Sequence, residues 1–275
     1  MGLTDSGIAL DVADGVAVVT LDRPPVNALD FAMQDRLHAI ADRLGSDDAV
    51  RVVVLRSSGA VFSAGADIKQ MAATSPAAMR DRARPLQNAF TAVAELPQPV
   101  IAVVEGIAYG GGCELALCAD FRVCGTGARF ALPEINLGLI PGAGGTQRLP
   151  RLIGGAQAKL MMLTGRAVDA VRAAELGLAD LVTPGGAALE SALALAAELA
   201  DGPVCAVRAV KEAVDGGLAA GDLRTGLLLE RELFGGLFTT DDARHGLWSF
   251  VRRGPGQARF SAGVRRPDPA GEMVR

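Results

Sequence analysis

A chain of 275 residues, 50% hydrophobic and 21% charged, is long enough for one large core and is composed like an ordinary globular protein. Its net charge of −4, with no basic run interleaved with aromatics, argues against nucleic acid as a main partner. Two histidines and four cysteines without C-x-x-C spacing supply a zinc site poorly, and no apolar stretch of about eighteen residues exists to span a membrane.

The opening stretch, MGLTDSGIAL, has neither a basic region nor a long apolar run, so a cytoplasmic protein with reduced thiols is expected. GIAL and VAVVTL read as short strands joined by Asp14-Gly15, a hairpin turn signal. The proline-stiffened DRPPVNALD follows. Its Asp30 caps a helix in which Phe31, Gln34, Leu37, Ile40 and Leu44 recur at helical spacing. Residues 50–57 form a buried strand, and SGAVFSAGADIK is a small-residue loop leading into a short helix.

Residues 73–84 are polar and arginine-rich, and Pro85 is expected to start the next helix, with Leu86, Phe90 and Val93 on its buried face. Another buried strand spans 99–106, then come Gly110-Gly111-Gly112 and a helix through about Leu117; FRVCG is again a strand. After a glycine- and proline-containing segment, 130–155, helical runs are expected at 156–164, 168–175, 186–200, 203–215, 221–235 and 241–252. The last fifteen residues lack core-forming side chains and are expected to be a loose tail. The fold class is therefore α/β, with helices alone at the C-terminal end.

Familiar glycine motifs fail. From Gly110 the sixth position of G-x-G-x-x-G is Leu115, and from Gly142 it is Gln147. No glycine precedes a lysine, which excludes a P-loop, and Val61 stands where a nucleophile elbow around Ser63 needs glycine. What remains is a strand running through glycines into a helix, which leaves backbone N–H groups unpaired at a dipole's positive end. A second small-residue turn, Ser63-Ala64-Gly65-Ala66, offers another N–H. Two such donors aimed at one point make an oxyanion hole, although both segments also read as plain strand-to-helix turns. Glu114, in an otherwise apolar run, needs backbone donors or a catalytic role; Glu134 after Pro133 reads alone as a turn residue.

PPVNAL, FSAGADIKQM, PVIAVVEGIAYGGGCELALCAD and FALPEINLGLIPGAGGTQRL, in this order and spacing, together resemble the enoyl-CoA hydratase/isomerase (crotonase) superfamily, over roughly residues 8–260. The resemblance implies a crotonase-like spiral of ββα turns carrying the active site (1–195), a helical region used in trimer assembly (196–260) and the tail (261–275). It implies an acyl-CoA thioester as substrate and a homo-oligomer, trimer or hexamer. It implies no cofactor, coenzyme A being part of the substrate, and no nucleic acid or membrane partner.

By position, the resemblance implies Glu114 as the base that activates water and Glu134 as the acid at Cα. It implies Ala64 and Gly111 as oxyanion donors, and Ala66, Asp67, Ile68, Tyr109, Gly110 and Gly142 as coenzyme A or substrate contacts. The implied reaction is hydration of a trans-2-enoyl-CoA. Δ3,Δ2-enoyl-CoA isomerisation, hydration of a specialised acyl-CoA and binding without catalysis are the alternatives. The chain departs from the pattern at Glu105, Tyr109 and Pro25, the last where a lysine often meets coenzyme A. Arg23, Lys69 and the Arg80–Arg82–Arg84 cluster are candidate replacements, the cluster also reading as a solvated loop.

Overall fold

The computed structural model describes residues 7–260; the expected tail lies outside them. Strands β1 (Ile8–Ala13) and β2 (Val16–Leu21) form the opening hairpin. Asp14 and Gly15 between them have φ of 49° and 78°, the two left-handed positions that a two-residue turn needs to follow the strand twist. Helix α1 (Phe31–Gly45) is capped by Asp30, whose carboxylate accepts from Met33 N, and buries Met33, Leu37, Ile40 and Leu44. β3 (Val52–Ser57) and the short α2 (Ile68–Ala73) follow.

The next helix corrects the sequence reading. α3 runs from Pro76 to Ala94 with Pro85 inside it, and residues 76–84 are helical rather than a polar loop. Ser75 caps it, its hydroxyl accepting from Ala78 N, and Pro76 occupies the start where a missing N–H costs nothing. Pro85 removes one rung, but the flank is tied to α1 by Arg82. That guanidinium donates to Gln34 Oε1 (3.0 Å) and Phe31 O (3.1 Å), pairs with Asp35 (2.8 Å) and sits 4.8 Å from the Phe31 ring centre. Arg82 is thus a structural tie, whereas Arg80 and Arg84 are exposed.

β4 (Val100–Val104), β5 (Ile107–Tyr109), α4 (Gly111–Ala116), β6 (Phe121–Gly125) and β7 (Arg129–Ala131) come next, then a 3-10 turn, Glu134–Leu137. They are followed by α5 (Gly145–Ile153), α6 (Gly155–Thr164), β8 (Val168–Asp169), α7 (Ala170–Leu176), β9 (Leu181–Thr183) and α8 (Ala188–Ala200). Six strands make one sheet in the order β1-β2-β3-β4-β6-β9, parallel except for the first pair; β5-β7-β8 make a second.

Alternation along the central strands sorts the core into two sides. Val53, Leu55, Val100, Ala102 and Val104 share one hydrophobic cluster with Leu37, Phe90 and Val93 of α1 and α3. Val52, Val54, Ile101, Val103 and Val123 form another with Ala188, Ala192, Ala196 and Ala200, a stripe of small side chains along α8. Glu105 caps that helix, its two carboxylate oxygens accepting from Gly186 N and Ala188 N at 2.9 Å each. Arg122, 2% exposed, donates to Leu178 O and Ala119 O and pairs with Asp180, each at 2.7 Å.

The chain parts into two compact units, one ending at Ala200 and the other beginning at Asp201; residue 195 falls inside α8. The second unit holds α9 (Val204–Ala220), α10 (Leu223–Leu237) and α11 (Asp241–Arg253). α9 and α10 approach closely where a Cβ on Gly226 would lie 3.3 Å from Gly217 Cα. α10 has no buried residue, and Leu223, Leu227, Leu228 and Phe234 are all exposed. Among the described residues no helix is long and apolar enough to cross a membrane.

Candidate active site

The turn after β3 is held by hydrogen bonds that decide which of its N–H groups stay free. Buried Asn27, at φ 49°, donates through Nδ2 to Val61 O (2.8 Å) and Phe62 O (3.1 Å). The Ser63 hydroxyl donates to Asn27 O (2.7 Å) and accepts from Gly65 N (3.1 Å). Ser63 N donates to Ile107 O (3.2 Å), Ala64 N to Val26 O (2.9 Å) and Asp67 N to Leu29 O (3.3 Å). The Ala66 N–H has no acceptor among the described residues.

That overturns one expectation from the resemblance. Ala64 is not a free donor, because Val26 O already takes its N–H. Gly111, the first residue of α4, also has an open N–H, since a helix offers its first residues no internal acceptor. The two turns touch: a Cβ on Gly65 would lie 2.8 Å from Tyr109 O and 3.2 Å from Gly111 N, so only glycine permits this approach. Tyr109 N in turn donates to Ser63 O at 2.9 Å.

Glu114 sits in the first turn of α4, 3% exposed. Its Oε1 accepts from Ala143 N (2.7 Å) and from Gly145 N (2.8 Å), the latter opening α5. Burial raises its carboxyl pKa, and these N–H groups and the Arg148 charge pull it only part of the way back. Glu134 begins the 3-10 turn after β7. Its Oε1 lies 2.9 Å from where a Gly110 Cβ would stand, and its Oε2 is buried with no hydrogen-bond partner among the described residues. Burial foremost, with the Glu114 charge adding to it, raises the Glu134 carboxyl pKa to about 7. The Glu134 carboxyl and the open N–H groups of Ala66 and Gly111 therefore gather at Gly110-Gly111, and Glu114, three residues further along α4, is near enough for its charge to act on Glu134.

The remaining expected contacts scatter around this point. Gly110 has φ 51° and ψ −125° and donates to Ala131 O (2.9 Å), which fixes the kink ahead of α4. Tyr109, half-buried, ends β5. Asp67 is engaged in structure: its carboxylate caps α2 by accepting from Gln70 N (3.1 Å) and pairs with Arg23 (3.0 Å). Arg23 also donates to Ala28 O (2.9 Å) and pairs with Asp30 (3.3 Å), so it braces the 62–68 turn rather than standing ready for a phosphate. Ile68 and Lys69 are exposed at the start of α2, and Gly142 is exposed, its carbonyl accepting from Gln87 Nε2 (3.2 Å).

Sequence reasoning missed the grip on Glu114 by Ala143 and Gly145. Its signal was present in PGAGG, a run that keeps side chains away from a buried carboxylate: a Cβ on Gly145 would lie 3.0 Å from Glu114 Cγ. Cys113, beside Glu114, is wholly buried, and desolvation pushes its thiol pKa far up, which keeps it an inert small hydrophobe. Among the described residues no group of three or more His, Cys, Asp or Glu side chains is placed to hold a metal ion.

Known proteins share this arrangement of sequence and fold. Residues 11–260 match the family described as enoyl-CoA hydratase/isomerase. The chain is 38% identical over 241 residues to a probable mitochondrial enoyl-CoA hydratase 2 of Arabidopsis thaliana, covering 87% of this chain and 80% of the relative. It is 39% identical over 239 residues to the 2,3-dehydroadipyl-CoA hydratase of Escherichia coli, covering 86% and 92%. The solved enoyl-CoA hydratase of Bacillus anthracis superposes with a TM-score of 0.88 at 38% identity, covering 94% of this chain and all of that one. The chain belongs to the enoyl-CoA hydratase/isomerase family, and its fold is the crotonase fold.

Proposed function

We propose that this protein is an enoyl-CoA hydratase that adds water across the 2,3 double bond of a trans-2-enoyl-CoA, giving the 3-hydroxyacyl-CoA. The observation that carries the reading is Glu134 and the open N–H groups of Ala66 and Gly111 gathered at one glycine turn, with the gripped Glu114 in the helix turn that follows. In this reading the thioester oxygen accepts both N–H groups. Glu114 takes a proton from water as its oxygen attacks Cβ, and negative charge moves onto the thioester oxygen, where the two donors stabilise it. Glu134 then delivers its proton to Cα. The net change is one water added, with the two carboxyls left to exchange a proton through solvent. The raised pKa of Glu134 suits an acid; burial raises Glu114 as well, and what supports its role as base is the pair of N–H groups and the Arg148 charge, which act toward its ionised form.

The presence of both glutamates favours hydration over double-bond migration, which one carboxyl can perform. The exposed apolar side chains of α10 support assembly of the second unit into a homo-oligomer, trimer or hexamer. Four free cysteines support a reducing compartment such as the cytoplasm. The test is loss of the conjugated enoyl-thioester absorbance on mixing with crotonyl-CoA, with Glu134→Gln alongside. Rapid loss, nearly abolished by the substitution, upholds the reading. Conversion of a 3-enoyl-CoA without water addition would identify an isomerase instead, and coenzyme A binding without turnover of any enoyl-CoA would leave a binding protein.

A further inference from the structure

We propose that Arg148 is a positioning residue for Glu114: its guanidinium braces the 143–145 turn that grips the carboxylate, and its positive charge favours the ionised form that a base needs. The inference rests on the reading of Glu114 as the base. Arg148 lies in the first turn of α5, half-buried. Its Nη1 donates to Ala143 O (2.9 Å) and its Nη2 to Thr91 Oγ1 of α3 (3.4 Å). No carboxylate among the described residues forms an ion pair with it. A Cβ on Gly144 would overlap Arg148 Nη1, so the turn is shaped to the guanidinium lying against it.

On its other side the same turn presents the N–H groups of Ala143 and Gly145 to Glu114 Oε1. Arg148 thus connects three things: the bracing helix α3, the turn, and the charge of the carboxylate. Arg148 from α5 is the charged side chain that acts on Glu114, and the Glu114 charge in turn acts on Glu134 from the turn after β7 and on Cys113 beside it on α4. Burial still holds the Glu114 pKa up, and Arg148 is the cation that, after the Gly145 and Ala143 N–H groups, works against it. Two glutamates in one apolar site need such an asymmetry if one is to be base and the other acid.

The experiment is a pH titration by infrared spectroscopy of the carboxylic-acid C=O stretch in the full protein, with Glu114→Gln and Glu134→Gln assigning the bands. It compares native protein, Arg148→Gln and Arg148→Lys. The Glu114 midpoint is expected to rise by about one pH unit in Arg148→Gln and to return most of the way in Arg148→Lys. The acid limb of kcat/KM for crotonyl-CoA should move by the same amount. Arg148→Met, which keeps an apolar stem for packing, is the second neutral variant should Arg148→Gln fail to fold. An unmoved midpoint in a folded neutral variant, or no return with lysine, overturns the proposal. The infrared titration needs no turnover, so a native protein that hydrates nothing would refute the proposed function while the midpoint still decides the role of Arg148.

Discussion

Glu134 and Gly110 are fitted to one another: the carboxylate oxygen Oε1 lies 2.9 Å from the point where a side chain on residue 110 would begin. Gly110→Ala therefore meets both a left-handed backbone, φ 51°, and the acid itself. The variant is expected to fold with a loss of about 1–2 kcal/mol and to lose roughly a hundredfold in kcat, since the acid is moved off its place. Thermal unfolding and turnover of crotonyl-CoA measure the two separately. An active alanine variant would show that Glu134 need not sit there.

The free N–H of Ala66 and the occupied one of Ala64 give opposite expectations. Replacing the amide at 66 by an ester, through nonsense suppression, removes the donor proposed for the oxyanion and is expected to lower kcat by about 10²–10³-fold, at a stability cost of about 1 kcal/mol or less because Gly65 O becomes a weaker acceptor for Leu29 N. The same replacement at 64 removes the bond to Val26 O and weakens Ser63 O as the acceptor of Tyr109 N. It is expected to cost about 1 kcal/mol of stability and little of the rate. Equal kcat losses at both positions would refute the assignment.

On the proposed mechanism Glu134 must carry a proton. With its pKa raised to about 7, activity is expected to fall as pH rises through that value. Glu134→Gln keeps the shape and has no proton to give, so a residual rate about 10²–10⁴-fold lower, without that limb, is expected. A pH profile of kcat for both proteins decides it.

The same raised pKa predicts how stability changes with pH. The native state holds the Glu134 proton more tightly than the unfolded chain, whose carboxyl titrates near 4.5. The stabilisation is complete below about 4.5 and is lost as pH rises through about 7, the reverse of an ordinary ion-paired glutamate. Allowing for partial solvent screening, it amounts to no more than about 2 kcal/mol. Glu134→Gln should unfold at a higher temperature than the native protein at pH 8, with the difference gone at pH 4. Denaturation scans at the two pH values test this.

Arg122 is the buried cation whose loss should be felt most. Arg122→Met strands the carbonyls of Leu178 and Ala119 and unpairs Asp180, at an expected cost of about 2–4 kcal/mol. Urea unfolding measures it; a change under 1 kcal/mol would mean that water replaces the guanidinium.

The long elements were legible because they carry their own pattern. β2 and β3 are β-branched runs with a turn signal ahead, and α1 has a cap and a stripe of apolar side chains. β5 and β7, three residues each, are strands because of the partners they find, each other and for β7 also β8, and no local pattern marks them. Pro85 misled because the rule for proline is local, whereas the tie of Arg82 to α1 is not. The candidate site shows the same divide. Glu114, Glu134 and the glycines were picked out by motif. Which N–H stays free was decided by Val26 O and by the Ser63 hydroxyl, contacts that no spacing encodes.

The stitching of Ser63 to β5 bears on how the two open N–H groups move. Ser63 N donates to Ile107 O and Tyr109 N to Ser63 O, so the strand that leads into Gly111 is paired to the turn that leads into Ala66. A thermal displacement of either turn carries the other with it. The motions of the two donors are therefore largely common-mode: the pair wanders as a unit while the gap between its members stays nearly constant. An anion seated between them finds the same spacing whatever the surrounding loops are doing, and little reorganisation is left for the moment at which charge develops.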